Sequence, residues 1–376
     1  IVYYKVVGDD MHKDTAESTI NVSIGRKTPA ASDFVFAPPS SLGYDGNDKV
    51  ASVTLKSPYS DAGAVTVKYY DSTGTTEVTE RKNVGTYVVK VDVASGTNFE
   101  SKSGLTDSAW KFTIVPGEIP AAVVNGVTGY SGTYDGNPHN AVVVGTNVSS
   151  GGYTVKYSDS ESGTYDTTQR QVKDAGSKTV WVEISKANYA TVKKPVTATV
   201  SQKDIGGATI NFGTQNTYNG LEQGVALSYD SIKDGTKILT GGTDYTVKSG
   251  TKATNVGDNT LVIEGMGNYT GEASGTWSLK KATPQDIDFD IPPLGSGYGY
   301  TGNPRSVLAP TLESPKTEAG EVTVYYQGTS GTTYPESTTA PTDVGSYKVT
   351  FNVTGGQNFN AATGLNIGTL KINPKD

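Results

Sequence analysis

Alternation of apolar and polar residues with a period of two runs through much of the chain. Residues 87–93 are an example, with charged residues such as Lys90 on one side. The apolar side of this segment consists of Tyr87, Val89, Val91 and Val93. One apolar face at this period is typical of a half-buried antiparallel strand. Because no long segment has helical periodicity, the pattern predicts an all-β protein.

One succession of motifs occurs four times in the same order, at intervals of roughly 80 to 90 residues. Each copy has a turn after an aromatic residue, an alternating strand, an Asp/Asn-x-Gly turn that opens another strand, and an Asn-aromatic pair. The first turns begin at Tyr44, Tyr134, Tyr218 and Tyr300. The glycines of the second turns are Gly85, Gly176, Gly257 and Gly345. The pairs are Asn98-Phe99, Asn188-Tyr189, Asn268-Tyr269 and Asn358-Phe359.

The motifs divide the chain into four whole repeats and the C-terminal part of a truncated one. The truncated repeat is residues 1–27, and repeats 1 to 4 are residues 28–116, 117–202, 203–281 and 282–376. Each whole repeat has room for five to seven strands, which is the size of an immunoglobulin-like β-sandwich. The sequence therefore predicts tandem immunoglobulin-like sandwiches.

The joints between these repeats are only a few residues long, and three of them contain proline. Since flexible Gly/Ser linkers are absent, we expect restrained domains in an extended rod. The start of the chain within a strand-like segment suggests a cut from a longer protein. Residues 1–27 alone bury too little apolar surface to be stable. We expect them to be ordered only by pairing with another chain or a missing segment, or by docking on repeat 1.

The Asp/Asn-x-Gly-x-Tyr motif resembles the tyrosine corner of immunoglobulin-like folds, in which a tyrosine hydroxyl bonds back to the turn backbone. Tyr87 and Tyr347 occupy the tyrosine position, whereas repeats 2 and 3 have Lys178 and Asn259 there. Glycine allows the turn without strain at Cβ. The turn residues predicted to be structural are Gly85, Gly176, Gly257, Gly345, Tyr87 and Tyr347, with positive φ as the reason for glycine.

The motifs "YDG", "VTVKY", "DAG" and "NY" together resemble the bacterial immunoglobulin-like repeats of the MBG or YDG type. The resemblance covers nearly all of the chain. It implies a segment of a large secreted or surface-anchored bacterial protein, such as an adhesin. Repeats of this type usually serve as spacers or interaction modules.

Composition and charge exclude several classes of partner. The net charge is -7 and the chain contains no basic cluster, so nucleic acid is not an expected partner. It contains no cysteine and no apolar run long enough for a membrane helix, so we expect neither disulfides nor membrane insertion by this segment.

The two histidines, His12 and His139, lie in polar loops. No arrangement of base and nucleophile is visible, and we expect no enzyme activity, cofactor or metal.

Aromatic residues that point away from the apolar faces are the best candidate ligand contacts, namely Trp181, Tyr70 and Tyr325. Such residues can stack on a sugar ring or contact a protein partner, and they can equally pack across the strands on the solvated face of the sheet.

The leading hypothesis is a monomeric structural spacer on a bacterial surface or in a secreted protein. The alternatives are an adhesin segment that contacts a host protein or glycan, or an accessory region of an extracellular polysaccharide-degrading enzyme.

Overall fold

The computed structural model describes residues 1–225 and 227–375. Its regular structure is almost entirely β, which confirms the predicted fold class of tandem immunoglobulin-like sandwiches. Among the described residues the α-helices are two short ones, Ala121–Asn125 and Thr146–Ser149, both in repeat 2. The chain divides into two compact units. Unit 1 contains residues 1–130, 140–170 and 178–198, and unit 2 contains residues 131–139, 171–177 and 199–376.

The strands of the truncated repeat and of repeat 1 all belong to unit 1. They are β1 (Val2–Tyr4), β2 (Ser18–Ile20), β3 (Phe34–Ala37), β4 (Ser52–Leu55), β5 (Val65–Tyr70), β6 (Gly85–Val93), β7 (Lys102–Leu105) and β8 (Lys111–Ile114). In repeat 1 one sheet is β3–β4, and the other places β5 and both β7 and β8 beside β6. Phe34 and Val53 from the first sheet share one hydrophobic core with Val89, Val91 and Ile114 from the second, as in a β-sandwich.

Repeat 2 contributes to both units. Its strands are β9 (Val127–Gly129), β10 (Ser131–Thr133), β11 (His139–Asn140), β12 (Val142–Val144), β13 (Thr154–Ser158), β14 (Gln171–Val172), β15 (Gly176–Ser185) and β16 (Val192–Ser201). Within unit 1, β13 pairs antiparallel with residues 181–185 of β15, and β9 pairs with β12. Val180, Val182 and Ile184 are fully buried, as alternation predicts. Within unit 2, β10 pairs parallel with residues 199–201 of β16.

Repeats 3 and 4 belong to unit 2. The strands of repeat 3 are β17 (Lys203–Asp204), β18 (Thr209–Ile210), β19 (Gln223–Gly224), β20 (Ile232–Asp234), β21 (Lys237–Ile238), β22 (Tyr245–Ser249), β23 (Lys252–Ala253), β24 (Gly257–Gly265), β25 (Tyr269–Thr270) and β26 (Glu272–Leu279). Those of repeat 4 are β27 (Phe289–Asp290), β28 (Tyr298–Gly299), β29 (Thr311–Leu312), β30 (Val322–Thr329), β31 (Gly345–Val353) and β32 (Ala362–Asn373). The larger sheets are β22–β24–β26 in repeat 3 and β28–β32–β31–β30 in repeat 4.

Short 3-10 turns lie near the start of three repeats, at Ala31–Asp33, Ile205–Gly207 and Asp286–Asp288. The strand that follows each Asp/Asn-x-Gly turn is the centre of its sheet, paired on both sides in repeats 1, 3 and 4. The alternating segments that begin at these turn glycines are therefore the central strands of their sheets.

The two tyrosines of the corner motif bond to the turn backbone. The Tyr87 hydroxyl donates to the carbonyl oxygen of Asn83 at 2.9 Å, and the Tyr347 hydroxyl donates to that of Asp343 at 2.8 Å. Burial raises the pKa of both phenols above its usual value. Each hydroxyl thus ties the start of the central strand to the turn that precedes it.

Three of the four turn glycines have positive φ, at 155° for Gly85, 140° for Gly176 and 149° for Gly257. Gly345 is not among the positive-φ residues, so the expected reason for glycine is wrong at this position. There a Cβ atom would come within 2.6 Å of the Thr332 side chain, and crowding requires the glycine instead.

Residues 1–27 form a hairpin in which β1 and β2 pair antiparallel from Val2–Ile20 to Tyr4–Ser18. Every residue of both strands is exposed. At the end of the segment the backbone nitrogen of Lys27 donates to the Asn98 carbonyl oxygen at 2.9 Å. Lys27 is therefore joined to repeat 1, while the hairpin strands keep their apolar side chains in solvent.

Candidate functional site: the joints between repeats

The Asn-aromatic pair of each repeat lies beside the short linker at which that repeat begins. Parallel bridges join Lys27 to Phe99, Gly117 to Tyr189 and Ala282 to Phe359. In repeat 3, Lys203 pairs with Tyr269 in the same way. This pairing holds the asparagine at the linker, where it can reach the repeat before.

In the joint between repeats 1 and 2, Asn188 caps the Asn83-Val84-Gly85 turn of repeat 1. Its side-chain oxygen accepts from the backbone nitrogen of Val84 at 3.0 Å, and its side-chain nitrogen donates to the Asn83 side-chain oxygen at 3.0 Å. Asn188 itself has a positive φ of 67°, which asparagine tolerates better than most residues.

The second joint repeats these contacts with Asn268 and the Asp174-Ala175 turn. The Asn268 side-chain oxygen accepts from the backbone nitrogen of Ala175 at 2.7 Å, and its nitrogen donates to the Asp174 carboxylate at 3.0 Å. An amide fits this position because it offers an acceptor and a donor side by side. A carboxylate could not donate to Asp174.

The third joint has the most buried asparagine. Asn358 is fully buried; its side-chain oxygen accepts from the Val256 backbone nitrogen at 2.9 Å, and its nitrogen donates to the Asn255 side-chain oxygen at 3.2 Å. The same nitrogen lies 3.3 Å from the carbonyl oxygen of Thr317 within repeat 4. One amide thus connects two repeats.

An edge-to-face pair of aromatic rings accompanies each asparagine. The tyrosine of the Tyr-x-Gly turn in one repeat meets the aromatic residue of the pair in the next. The ring centroids are 5.2 Å apart for Tyr44–Tyr189, 5.6 Å for Tyr134–Tyr269 and 5.4 Å for Tyr218–Phe359. Such geometry is favourable beyond the apolar area that it buries.

In the joint between repeats 3 and 4, Tyr218 is packed as a residue of a hydrophobic core would be. It belongs to repeat 3, yet it shares a hydrophobic cluster with Phe289, Phe351 and Phe359 of repeat 4. Its hydroxyl accepts from the Thr317 backbone nitrogen at 2.9 Å. Burial of both the ring and the hydroxyl in repeat 4 restrains the linker between the repeats.

The second joint also contains a cation. The Lys237 ammonium lies 5.0 Å from the ring centroid of Tyr134 and 4.8 Å from that of Tyr269, and it donates to the Tyr134 hydroxyl at 3.1 Å. Burial lowers the pKa of Lys237, but the two tyrosine hydroxyls and the Asp244 carboxylate outweigh this, and the pKa is raised overall. Lys237 therefore stays charged and binds both rings through their π faces.

The residue after each of these tyrosines caps its own turn. Asp135 accepts from the backbone nitrogen of Asn137 at 2.8 Å, and Asn219 accepts from that of Leu221 at 2.9 Å. The Asn137 hydrogen bond, together with the His139 side chain, lowers the pKa of Asp135 to about 2. The side-chain oxygens at these turns therefore cap backbone nitrogens of the same turn. In the described part of the chain no group of three or more His, Cys, Asp and Glu is arranged for a metal.

The three aromatic residues proposed as ligand contacts lie in three different repeats. Tyr70 in β5, Trp181 in β15 and Tyr325 in β30 are each half-buried on the face opposite the core. The Lys90 ammonium covers the Tyr70 ring at 4.5 Å. Across the strands, Trp181 stands opposite Ser158 and Tyr325 opposite Thr350. Each residue therefore packs among neighbours of its own sheet.

A small cleft of about 170 Å³ lies in repeat 4, lined by Pro292, Pro293, Leu294, Tyr298, Arg305, Ser306, Val307, Leu308 and Leu370. The Arg305 guanidinium lies 5.5 Å from the Tyr298 ring centroid, and its buried Nε has no hydrogen-bond partner among the described residues. None of the described helices is long and apolar enough to cross a membrane.

The sequence shows that the Asn-aromatic pair and the Tyr-x-Gly turn recur, but it does not show what they contact. The structure shows that they meet across consecutive repeats. The regular order of these motifs along the chain is the signal that could have indicated this contact. A polar residue that recurs beside a core aromatic residue in every repeat indicates contact with the neighbouring repeat.

No protein-family model and no curated protein sequence matches the chain. Among solved structures it is similar to Sidekick-1 immunoglobulin domains 1–5, at 10% identity over 93% of this chain and 78% of that one, with a TM-score of 0.24. It is similar to the N-terminal four Ig domains of Dscam1 isoform 9.44, at 12% identity, 91% and 98% coverage and a TM-score of 0.20. It is also similar to the Bacteroides ovatus mixed-linkage glucan utilization protein SGBP-B in complex with a heptasaccharide, at 12% identity, 69% coverage of each chain and a TM-score of 0.15. At these values the likeness carries no argument about partners or activity, and the fold rests on the strands and sheets described above.

Proposed function

We propose that this chain is a non-catalytic spacer, a stalk segment of a larger bacterial surface or secreted protein. The observation that carries the proposal is the joint. An asparagine cap and an aromatic pair recur at three successive linkers, with distances that agree closely. A segment that holds other domains away from a surface needs restrained joints, and these contacts restrain each linker without any motif for chemistry.

Limited proteolysis of the full chain tests the restraint. The wild-type linkers at residues 115–120, 202–206 and 281–285 should resist cleavage, because their backbones are paired and their neighbours are packed. Replacing Asn188, Asn268 and Asn358 together by Ala should open the linkers to the protease. Asn98→Ala is the matched control, since Asn98 caps no turn of a preceding repeat in this structure. Equal cleavage of the linkers in the wild type and the triple variant would contradict the proposal.

The surface location and the absence of catalysis are parts of the same proposal. Support for the location comes from the sequence resemblance to MBG or YDG repeats. Labelling of intact source cells with an antibody against this segment tests it. For catalysis, turnover in a broad hydrolase panel that one substitution abolishes would contradict the spacer role.

The alternative function, binding of a glycan or protein as part of an adhesin, is favoured by one observation. The repeat 4 cleft combines the aromatic ring of Tyr298 with the Arg305 Nε, to which no described residue is hydrogen-bonded. Sugars are commonly bound by an aromatic face beside polar groups. A glycan array probed with the full chain tests this alternative. Binding that Tyr298→Ala removes and Tyr229→Ala, at an exposed tyrosine outside the cleft, leaves intact would establish it over a pure spacer.

A further inference from the structure

The face of repeat 1 around Asn98 and Phe99 carries the Asn-aromatic pair of a joint, but no Asp/Asn-x-Gly turn of the described residues contacts it. The Asn98 side-chain nitrogen lies 3.3 Å from the Ser60 carbonyl oxygen, as that of Asn358 lies 3.3 Å from the Thr317 carbonyl oxygen. The side-chain oxygen of Asn98 accepts no hydrogen bond from any described residue. In the three complete joints this atom accepts from the turn of the repeat before.

A cleft of about 410 Å³ opens at this face, lined by Ile24, Gly25, Lys27, Pro58, Tyr59, Ser60, Thr97, Asn98 and Phe99. Phe99 forms the floor of the cleft and is 2% exposed. Tyr59 flanks it edge-on, with ring centroids 5.9 Å apart. The corresponding place on repeat 4, beside Phe359 and Thr317, is occupied by Tyr218 of repeat 3.

Repeat 4 has the tyrosine and the Asp/Asn-x-Gly turn that the cleft on repeat 1 lacks as partners. The Tyr300 backbone nitrogen donates to the Asn373 carbonyl oxygen, as that of Tyr218 donates to Lys280 and that of Tyr134 to Ser201. Tyr300 is thus held like the joint tyrosines, yet it is 38% exposed, against 7% for Tyr134 and 4% for Tyr218. Val344, which corresponds to the capped Val84, is 46% exposed, and its backbone nitrogen donates to no described residue.

We propose that the cleft at Asn98 and Phe99 binds the Tyr300 and Asp343-Val344-Gly345 turns of a second copy of this chain. This contact continues an interface that the chain makes three times internally. The Tyr300 ring meets Phe99, and the Asn98 side chain accepts from the Val344 backbone nitrogen and donates to the Asp343 carboxylate. Because two different surfaces meet, the contact is heterologous and adds copies in a row. This inference does not depend on the spacer role.

Sedimentation equilibrium of the full chain tests the proposal. Because the contact is small, we expect association to be weak, but with a dissociation constant below about 0.5 mM. Asn98→Ala and Tyr300→Ala each remove one surface and should weaken association on the order of tenfold or more. Both residues are exposed, and unchanged thermal melts confirm that the variants fold.

Mixing the two variants gives the sharper result. The Asn98→Ala copy keeps its Tyr300 surface and the Tyr300→Ala copy keeps its cleft, so the mixture should regain the wild-type affinity but stop at a dimer. The proposal is overturned if the wild type stays monomeric up to about 0.5 mM. It is also overturned if either variant associates like the wild type, or if mixing restores nothing.

Discussion

The side-chain oxygen of Asn358 accepts a hydrogen bond from the backbone nitrogen of Val256 at 2.9 Å, although the two residues are 102 positions apart in the chain. Asn358 belongs to repeat 4 and Val256 to the turn that opens the central strand of repeat 3. The asparagine is fully buried, so its polar atoms depend on these partners. The stability of the turn in one repeat is therefore coupled to the presence of the next repeat.

Replacing Asn358 with Ala should lower the free energy of unfolding by about 1–3 kcal/mol, because the Val256 nitrogen and the Asn255 side chain lose their buried partner. Chemical denaturation followed by the fluorescence of Trp277 in repeat 3 measures the effect. The matched variant Asn98→Ala, at the same motif position without a preceding turn, should cost less than about 0.5 kcal/mol in monomeric protein. Equal effects of the two substitutions would show that the asparagine matters only inside its own repeat.

Gly85→Val should destabilise repeat 1 by about 1–3 kcal/mol, because valine is strained at the φ of 155° found there. Trp110 lies in the core of repeat 1, so its fluorescence reports the unfolding of that repeat. Gly43→Val serves as the control, since a Cβ at Gly43 meets no atom within 4 Å and its φ is not positive. If both variants unfold at the same denaturant concentration, backbone geometry is not the reason for glycine at this turn.

Gly345→Val should also destabilise its repeat, for a different reason. The new side chain must displace Thr332, whose hydroxyl accepts from the Ser346 backbone nitrogen at 2.9 Å. Adding Thr332→Ala to Gly345→Val should restore part of the loss, whereas no neighbouring substitution should rescue Gly85→Val. Thermal unfolding of the single and double variants measures the rescue, and its absence would exclude crowding as the cause.

Tyr87→Phe should lower the free energy of unfolding of repeat 1 by about 1 kcal/mol, because the Asn83 carbonyl oxygen loses the hydroxyl that bonds to it. The ring and its packing remain, so the change isolates the hydrogen bond. Tyr70→Phe is the control, as the Tyr70 hydroxyl bonds to no described residue. A Tyr87→Phe variant as stable as the parent would mean that the hydroxyl does not stabilise the corner.

The low pKa of Asp135 gives a pH dependence with a definite sign. The carboxyl titrates at about 2 when folded and at about 3.9 when unfolded. Its contribution to stability is therefore complete above pH of about 4 and is lost as the pH falls through about 2. Asp135→Asn should keep the turn, as Asn219 does in repeat 3, and should reduce the loss of stability in acid. Carboxyl NMR titration in which Asp135 titrates near 3.9 would contradict the assigned hydrogen bonds.

The all-β fold and the central strands could be predicted because alternation with a period of two directly reflects one buried and one solvated face. In β6 the buried residues are those the pattern selected, from Tyr87 to Val93. The joints could not be predicted in the same way, because the contact between Asn188 and Val84 depends on how consecutive repeats meet. The crowding at Gly345 could not be predicted from alternation either, because it comes from Thr332, which lies in a loop without periodicity. The aromatic candidates Trp181, Tyr70 and Tyr325 stay predictions.

Backbone amide hydrogen exchange of the wild-type chain tests the joints most directly. The amides of Val84, Ala175 and Val256 each donate to an asparagine side chain of the following repeat, whereas the amide of Val344, at the same position in repeat 4, donates to no described residue. In monomeric protein at low concentration, we expect the first three to exchange at least about tenfold more slowly than Val344. Exchange of all four amides at the same rate would contradict the asparagine-capped joint on which the account depends.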